Sequence, residues 1–301
     1  MQITSPSNRT PPGELRLFSR SFTTTHPHPK AILAGADGRV TIGSNTWGGG
    51  LEQWRINEKG DYELLWSHIP GRVRGLTALS ESRICATVKM AAGYEVQIFG
   101  IDGNLLAQWG EQGETPGQLC NPAGISVDAN DNLYLVDTTE WNGSRAMSCN
   151  RVQVFTLEGR YLHGWGSTGK DPGQFNLPVG ITVSPDQTVW VADTNNCRVQ
   201  HFTLDGGLLD CWGSLGSKPG FFNSPQGVAV LKDGALLVAD THNNRLQCLD
   251  SSDGAFRWSW GKRGREPDSL WLPCAVTVDP DGRILVADTM NHRIQILEAD
   301  S

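Results

Sequence analysis

One pattern recurs along this chain at a near-constant spacing. It is carried by PGQFNLPVGITVSPDQTVWVADTNNCRVQHF from Pro172, by PGFFNSPQGVAVLKDGALLVADTHNNRLQCL from Pro219, and by SLWLPCAVTVDPDGRILVADTMNHRIQIL from Ser269. The Asp of each VAD falls at 193, 240 and 288, intervals of 47 and 48 residues. Asp137, in PGQLCNPAGISVDANDNLYLVDTTE, stands 56 residues before Asp193 because a longer loop follows it. A Trp closes each unit, at 66, 109, 165, 212 and 260. Units this short cannot bury an apolar face alone, so successive copies must pack on one another.

Every copy divides the same way. An apolar run follows P-x-G, a turn such as Asp-Gly leads to a second run ending in Asp, a third begins Arg-Val-Gln, and a fourth ends Trp-Gly. Runs of this kind, four to seven residues long and alternating or continuously apolar, read as strands. Four short antiparallel strands per period, repeated around an axis, describe a propeller blade. With 35 Gly, 16 Pro and only 19% charged residues, the composition suits short strands joined by tight turns. No stretch sustains a helical period.

The P-x-G-I-x-V and V-A-D-x-x-N-x-R-I/V-Q patterns resemble the NHL-repeat family over roughly residues 116–301, and more weakly before that. The resemblance implies an all-β fold, a six-bladed β-propeller of four-stranded antiparallel blades. Counting agrees: blades run approximately 26–69, 70–115, 116–171, 172–218, 219–266 and 267–301, making residues 1–301 a single domain. The last copy stops after its third run, RIQILEA, while residues 13–22, GELRLFSRSF, alternate like a fourth strand without a blade. Pairing the two closes the ring and covers two free edges.

Bulk properties set limits on function. A formal charge of −7 argues against general nucleic-acid binding, which needs a basic surface. Some tripartite-motif proteins bind RNA through a terminal NHL propeller, but the RING, B-box and coiled-coil regions of that group have no counterpart here. The first thirty residues lack the apolar core of a secretory signal, and no segment has the apolar length to span a bilayer. Seven scattered cysteines, an odd number without a C-x-x-C pair, fit a reducing compartment. A monomeric cytoplasmic protein is the expectation.

Antiparallel order places the loop between strands two and three, and the loop between blades, on one face of the propeller. Loops on a rigid scaffold are where binding and catalysis usually sit. The residue between Pro and Gly should lie at the mouth of the central channel: in blade order Lys30, Arg74, Ala123, Val179, Gln226 and Cys274. Two adjacent blades thus offer cations, with Arg72 close by, which suggests a local anion-attracting spot on an acidic protein. The plainer alternative is that Lys30 and Arg74 satisfy neighbouring carboxylates or carbonyls.

Blade three departs from the others in its loop. Arg151 follows Asp137 by 14 positions, against five from Asp193 to Arg198, and the extra segment carries Trp141, Arg145, Met147 and Cys149. Such a loop can cover the channel, anchor a partner, or pack on its own blade. Blade one has a milder variant in SNTWGGGLEQW, with three glycines after Trp47.

Metal chemistry finds no support. The peptidyl-hydroxyglycine amidating lyase, similar in its repeats, holds zinc with channel histidines, but no His occupies the six mouth positions here. No set of three or four converging ligands is apparent, so no metal and no cofactor are expected. Two readings follow. The first is a binding module that engages a protein segment or small anion at the channel mouth through Lys30, Arg72, Arg74, Gln226, Cys274, Trp47 and Trp141. The second is a metal-independent lyase, cyclase or hydrolase acting there on an anionic small molecule, with Cys274 or Tyr94 as acid or nucleophile. The lack of a paired base places it behind the first.

VADTNNCRVQ itself looks like chemistry, but its Asp and Arg recur as Asp137 with Arg151, Asp240 with Arg245 and Asp288 with Arg293. A catalytic device is needed once. A device repeated around a ring is expected to be scaffold, a carboxylate tying Arg and loop amides to the neighbouring blade. Ser44 and Val88 stand at the Asp position in blades one and two, where the device should lapse.

Overall fold

The computed structural model describes residues 17–35, 37–46, 49–56, 61–68, 71–141 and 146–299. Six four-stranded antiparallel sheets form the blades of a β-propeller. Blade one consists of Pro29–Ala34, Arg39–Ser44, Leu51–Ile56 and Tyr62–His68, from the channel outward. Blade two runs Arg72–Ala78, Ile84–Lys89, Tyr94–Phe99 and Leu105–Trp109, and blade three Pro122–Val127, Leu133–Asp137, Arg151–Phe155 and Tyr161–Trp165. Blades four and five begin at Ile181 and Gly227. Blade six takes Pro273–Val278, Ile284–Asp288 and Arg293–Ala299 from the chain's end, and its outermost strand is Leu17–Thr23. That strand pairs from Leu17 with Ala299 to Thr23 with Arg293, so the ring is closed by hydrogen bonds between the two ends of the described chain. Each innermost strand contacts those of both neighbouring blades, and the circuit returns from blade six to blade one. No helix among the described residues is long and apolar enough to cross a membrane.

The apolar runs are explained by what their two faces meet. Six core clusters lie one between each pair of consecutive blades. Leu133 and Leu135 face blade two, while Tyr134 and Val136, between them in sequence, face blade four. A strand buried on both faces has no polar side to alternate with, which is why LYLVD and VWVAD read as continuous apolar runs. The cluster between blades six and one joins Ile32, Ile42 and Trp54 to Leu285, Ala287 and Ile296, and Phe22 of the closing strand packs on it.

The glycine of P-x-G sets how closely the inner strands approach. A Cβ on Gly124 would stand 2.6 Å from the carbonyl oxygen of Val179 in the next blade, and one on Gly227 would stand 2.9 Å from Ala275 Cα. The closing Trp of blades one to four does a similar job further out, over a turn glycine of the next blade. Trp109 packs over Gly159 in the hairpin turn of blade three and donates its indole N–H to Leu157 O at 2.9 Å, and Trp66 reaches Ile101 O of blade two in the same way.

Candidate functional site

The repeated Asp–Arg device decides how the channel mouth is built. Asp193 is fully buried and accepts four hydrogen bonds, from Asn176 N (2.7 Å), Asn196 Nδ2 (2.8 Å), Arg198 Nε (2.7 Å) and Gln200 Nε2 (3.1 Å). The remaining donors of Arg198 bind the carbonyls of Lys170, Asp171 and Gln174. All of these lie in the loop that arrives from blade three, so the device secures a blade to its own incoming loop. The link to the following blade, expected of the Asp, is made instead by the next residue: Thr194, Thr241 and Thr289 donate to the carbonyls of Pro225, Pro273 and Pro29. Burial holds the Asp193 and Asp137 carboxyls above the ordinary carboxylate range despite the hydrogen bonds and the Arg beside each.

The device also does not lapse in blade one. Ser44 occupies the Asp position, but the register puts Glu52 opposite Ile42, where the other blades carry Gln opposite the apolar residue two before the Asp. Glu52 is buried and accepts from Thr25 N and Oγ1, His26 N and Trp54 Nε1, again tying the incoming loop. The carboxylate has moved from the second strand to the third. In blade two Val88 is buried at the Asp position and Glu95 stands opposite it, where Arg would be, accepting from Gln97 Nε2 at 2.9 Å.

The incoming loops place the mouth residues. His28, Leu177, Ser224 and Leu272 each precede the motif proline with left-handed φ of 55°, 50°, 51° and 51°. Such backbone costs a non-glycine residue on the order of 1 kcal/mol. Three of the four are held there by the preceding blade: Leu177 N donates to Asn150 Oδ1, Leu272 N to Asn244 Oδ1 and His28 N to His292 Nδ1. Two positions on, Lys30, Val179, Gln226 and Cys274 turn into the channel.

Together with Arg74 they line the mouth of a cavity of about 80 Å³. By the room a water needs, this admits a handful of water-sized bodies. Lys30 Nζ donates to Gln226 Oε1 past the intervening Cys274, and Arg74 donates to Asn121 Oδ1 in the loop before blade three. The acceptor of Lys30 is a neutral carboxamide, so that bond leaves the ammonium charge in place. Among the described residues, the cavity lining contains no Asp, Glu or His. The Cys274 thiol is buried and donates to Leu272 O at 3.4 Å.

The other residues singled out in the sequence lie elsewhere. Ala123 is buried beneath Thr87, whose hydroxyl donates to its carbonyl at 2.6 Å, and Gly124 takes its place in the lining. Arg72 starts its strand opposite Lys89 and is not part of the lining. Tyr94 is buried in the core between blades two and three, with Lys89 Nζ 5.0 Å from its ring centre. Trp47 lies outside the described residues. The inserted loop of blade three forms a small hairpin, Glu140–Trp141 against Ala146–Met147, and the Trp141 side chain also lies outside what is described. Among the described residues no group of three or more His, Cys, Asp or Glu is placed to hold a metal.

Asn121 is the site residue that the sequence pattern passes over. Besides accepting from Arg74 it donates to Thr139 O at 2.8 Å, which links the channel mouth to the base of the inserted hairpin. Its one sequence signal is that it fills the position before Pro122 where later copies carry Leu or Ser.

Comparison with known proteins agrees with this architecture. The NHL repeat model matches residues 175–202, 222–249 and 270–297, which span parts of the incoming loops and the first three strands of blades four, five and six. Human NHL repeat-containing protein 3 is 32% identical over 111 residues, a match covering 35% of this chain and 30% of the human protein, so the likeness spans less than a third of that relative. Among solved structures, a Xanthomonas campestris protein described as a gluconolactonase superimposes with a TM-score of 0.68 at 16% identity, covering 96% of this chain and 90% of its own. A streptogramin B lyase superimposes with a TM-score of 0.61 at 17% identity, covering 94% and 98%. At such identities the likeness is one of fold.

Proposed function

The chain is an NHL-repeat protein, and from that premise we propose that it is a binding module whose loop-rich face engages an anionic group at the mouth of the central channel. One observation carries this reading: Lys30 and Arg74, from adjacent blades, share a cavity lining that holds no carboxylate among the described residues. Low-dielectric walls lined by one sign of charge concentrate field and attract counter-ions. The cavity suits a carboxylate or phosphate group, borne by a small molecule or by a segment of a partner protein.

The test is thermal shift with inorganic phosphate and citrate at constant ionic strength, on wild type, Lys30→Ala and Arg74→Ala. A ligand at about 100 times its Kd stabilises the folded state by about 2.7 kcal/mol. The wild-type midpoint is expected to rise with both anions and the response to vanish in Lys30→Ala. Equal responses in all three proteins would sink the reading. The position of Cys274 in the same lining supports a second reading, a metal-independent lyase, cyclase or hydrolase on an anionic substrate. It predicts that iodoacetate labels Cys274 faster than iodoacetamide and that phosphate protects it; the binding reading predicts slow labelling by both, because the thiol is buried.

A further inference from the structure

Below the inserted hairpin of blade three lies a small cluster separate from the six inter-blade cores: Cys120, Met147 and Cys149, all buried. Cys120 sits in the loop entering blade three and Cys149 at the end of the inserted segment. The Cys120 thiol donates to Met147 O at 3.4 Å, and Cys149 packs in the same buried cluster. Among the seven cysteines, no other two share a core cluster.

We propose that Cys120 and Cys149 are a dithiol pair that closes into a disulfide by exchange with a small external disulfide, stapling the inserted hairpin to the inner-strand loop of blade three. Cys149 has slight exposure where Cys120 has none, so the reagent meets Cys149 first. As thiolate, Cys149 displaces one half of the external disulfide, which leaves as a thiolate, and a mixed disulfide remains on Cys149. Cys120 passes its proton to that thiolate and attacks the Cys149 sulfur, expelling the second half, which takes up the proton Cys149 lost. Two protein thiols are oxidised and one external disulfide is reduced to two thiols. The neighbouring Cys149 side chain, then burial, then the charge of nearby Asp137 push the Cys120 thiol up, so the second step needs the Cys149 adduct held against it.

The staple would act on two connections already described. Cys149 precedes Asn150, which accepts from Thr138 Oγ1, Thr139 N and Leu177 N, and Cys120 precedes Asn121, the acceptor for Arg74. The proposal does not depend on what the channel binds.

The experiment exposes the purified chain to oxidised glutathione at pH 8, quenches with N-ethylmaleimide under denaturing conditions, and reads intact mass and linked tryptic peptides. The expected product has lost two hydrogens, retains five alkylatable thiols, and yields one cross-link, Cys120 to Cys149. Cys120→Ser is expected to stop at one stable glutathione adduct on Cys149. The oxidised wild type should melt several degrees above the reduced form, because the bond closes a loop of about thirty residues in the unfolded chain, with no such gain in Cys149→Ser. Seven alkylatable thiols after exposure both in buffer and in urea below the unfolding transition would overturn the proposal. So would a cross-link between other cysteines, or a lowered melting temperature.

Discussion

Removing the Asp193 carboxylate tests the account of the repeat most directly. In Asp193→Ala, Asn176 N, Asn196 Nδ2, Arg198 Nε and Gln200 Nε2 lose one shared acceptor inside a fully buried site. Breaking a buried ion pair by deleting one partner costs about 3–5 kcal/mol. Arg198 keeps three carbonyl acceptors in the incoming loop, so its guanidinium is not stranded and the lower end applies, about 3 kcal/mol. At about 2.1 cal/mol/K of unfolding entropy per residue, that is a fall in melting temperature of about 5 °C for a chain of this size. The exposed pair of Lys262 and Asp268, 3.8 Å apart, is the control, and Asp268→Ala should shift the midpoint by no more than about 1–2 °C. Because burial raises the Asp193 carboxyl, the stability tied to its protonation is present below its unfolded value of 3.8 and lost as pH rises through the folded value. At neutral pH the residue therefore contributes through the bonds it accepts and not through favourable ionisation, so Asp193→Asn, which keeps an acceptor oxygen, should cost less than Asp193→Ala. Calorimetry at pH 7 on the three variants decides it. An Ala variant that melts within about 2 °C of wild type, or an Asn variant as damaged as Ala, refutes the reasoning.

Glu52→Ala should cost about as much as Asp193→Ala, since Glu52 supplies the same service to blade one from the neighbouring strand; a loss no larger than that of the Asp268 control would show the relocation to be incidental. Gly124→Ala brings a Cβ within 2.6 Å of a backbone oxygen that cannot retreat, and a loss of about 1–3 kcal/mol is expected by urea titration, with an unchanged midpoint counting against close packing of the inner strands. His201, stacked on Trp190 with ring centres 3.7 Å apart, has its pKa lowered by burial against the opposing pull of Asp210 and Asp186. Its stability contribution is present above 6.5 and lost as pH falls through the folded value, so His201→Gln should flatten the acid side of the melting profile below that pH. An unchanged slope would count against it.

Local pattern was enough for the blades. Near-constant spacing, apolar runs and the recurring Asp–Arg pair reach the six-bladed ring, and the isolated first strand finds its partner in RIQILEA because a strand edge cannot stay unpaired without cost. The same pattern locates the channel mouth, since the residue between Pro and Gly is fixed to the start of each inner strand. Of its six positions Lys30, Arg74, Val179, Gln226 and Cys274 line the cavity, while Ala123 is buried and Gly124 stands there instead.

What the sequence alone determined about this protein is therefore periodic, carried by short-range constraints that each copy repeats. What only the tertiary structure decided is where one blade departs from the repeat and how a neighbour compensates. Glu52 takes over for Ser44 from the neighbouring strand, where the register sets it opposite Ile42, two residues before Ser44. Lys30 meets Gln226 across the channel although 196 positions separate them. Cys120 and Cys149 share a cluster because the inserted hairpin folds back on the loop that enters its own blade. Pairings of this kind depend on ring closure and register, which bring distant side chains to one spot, and no local propensity encodes them.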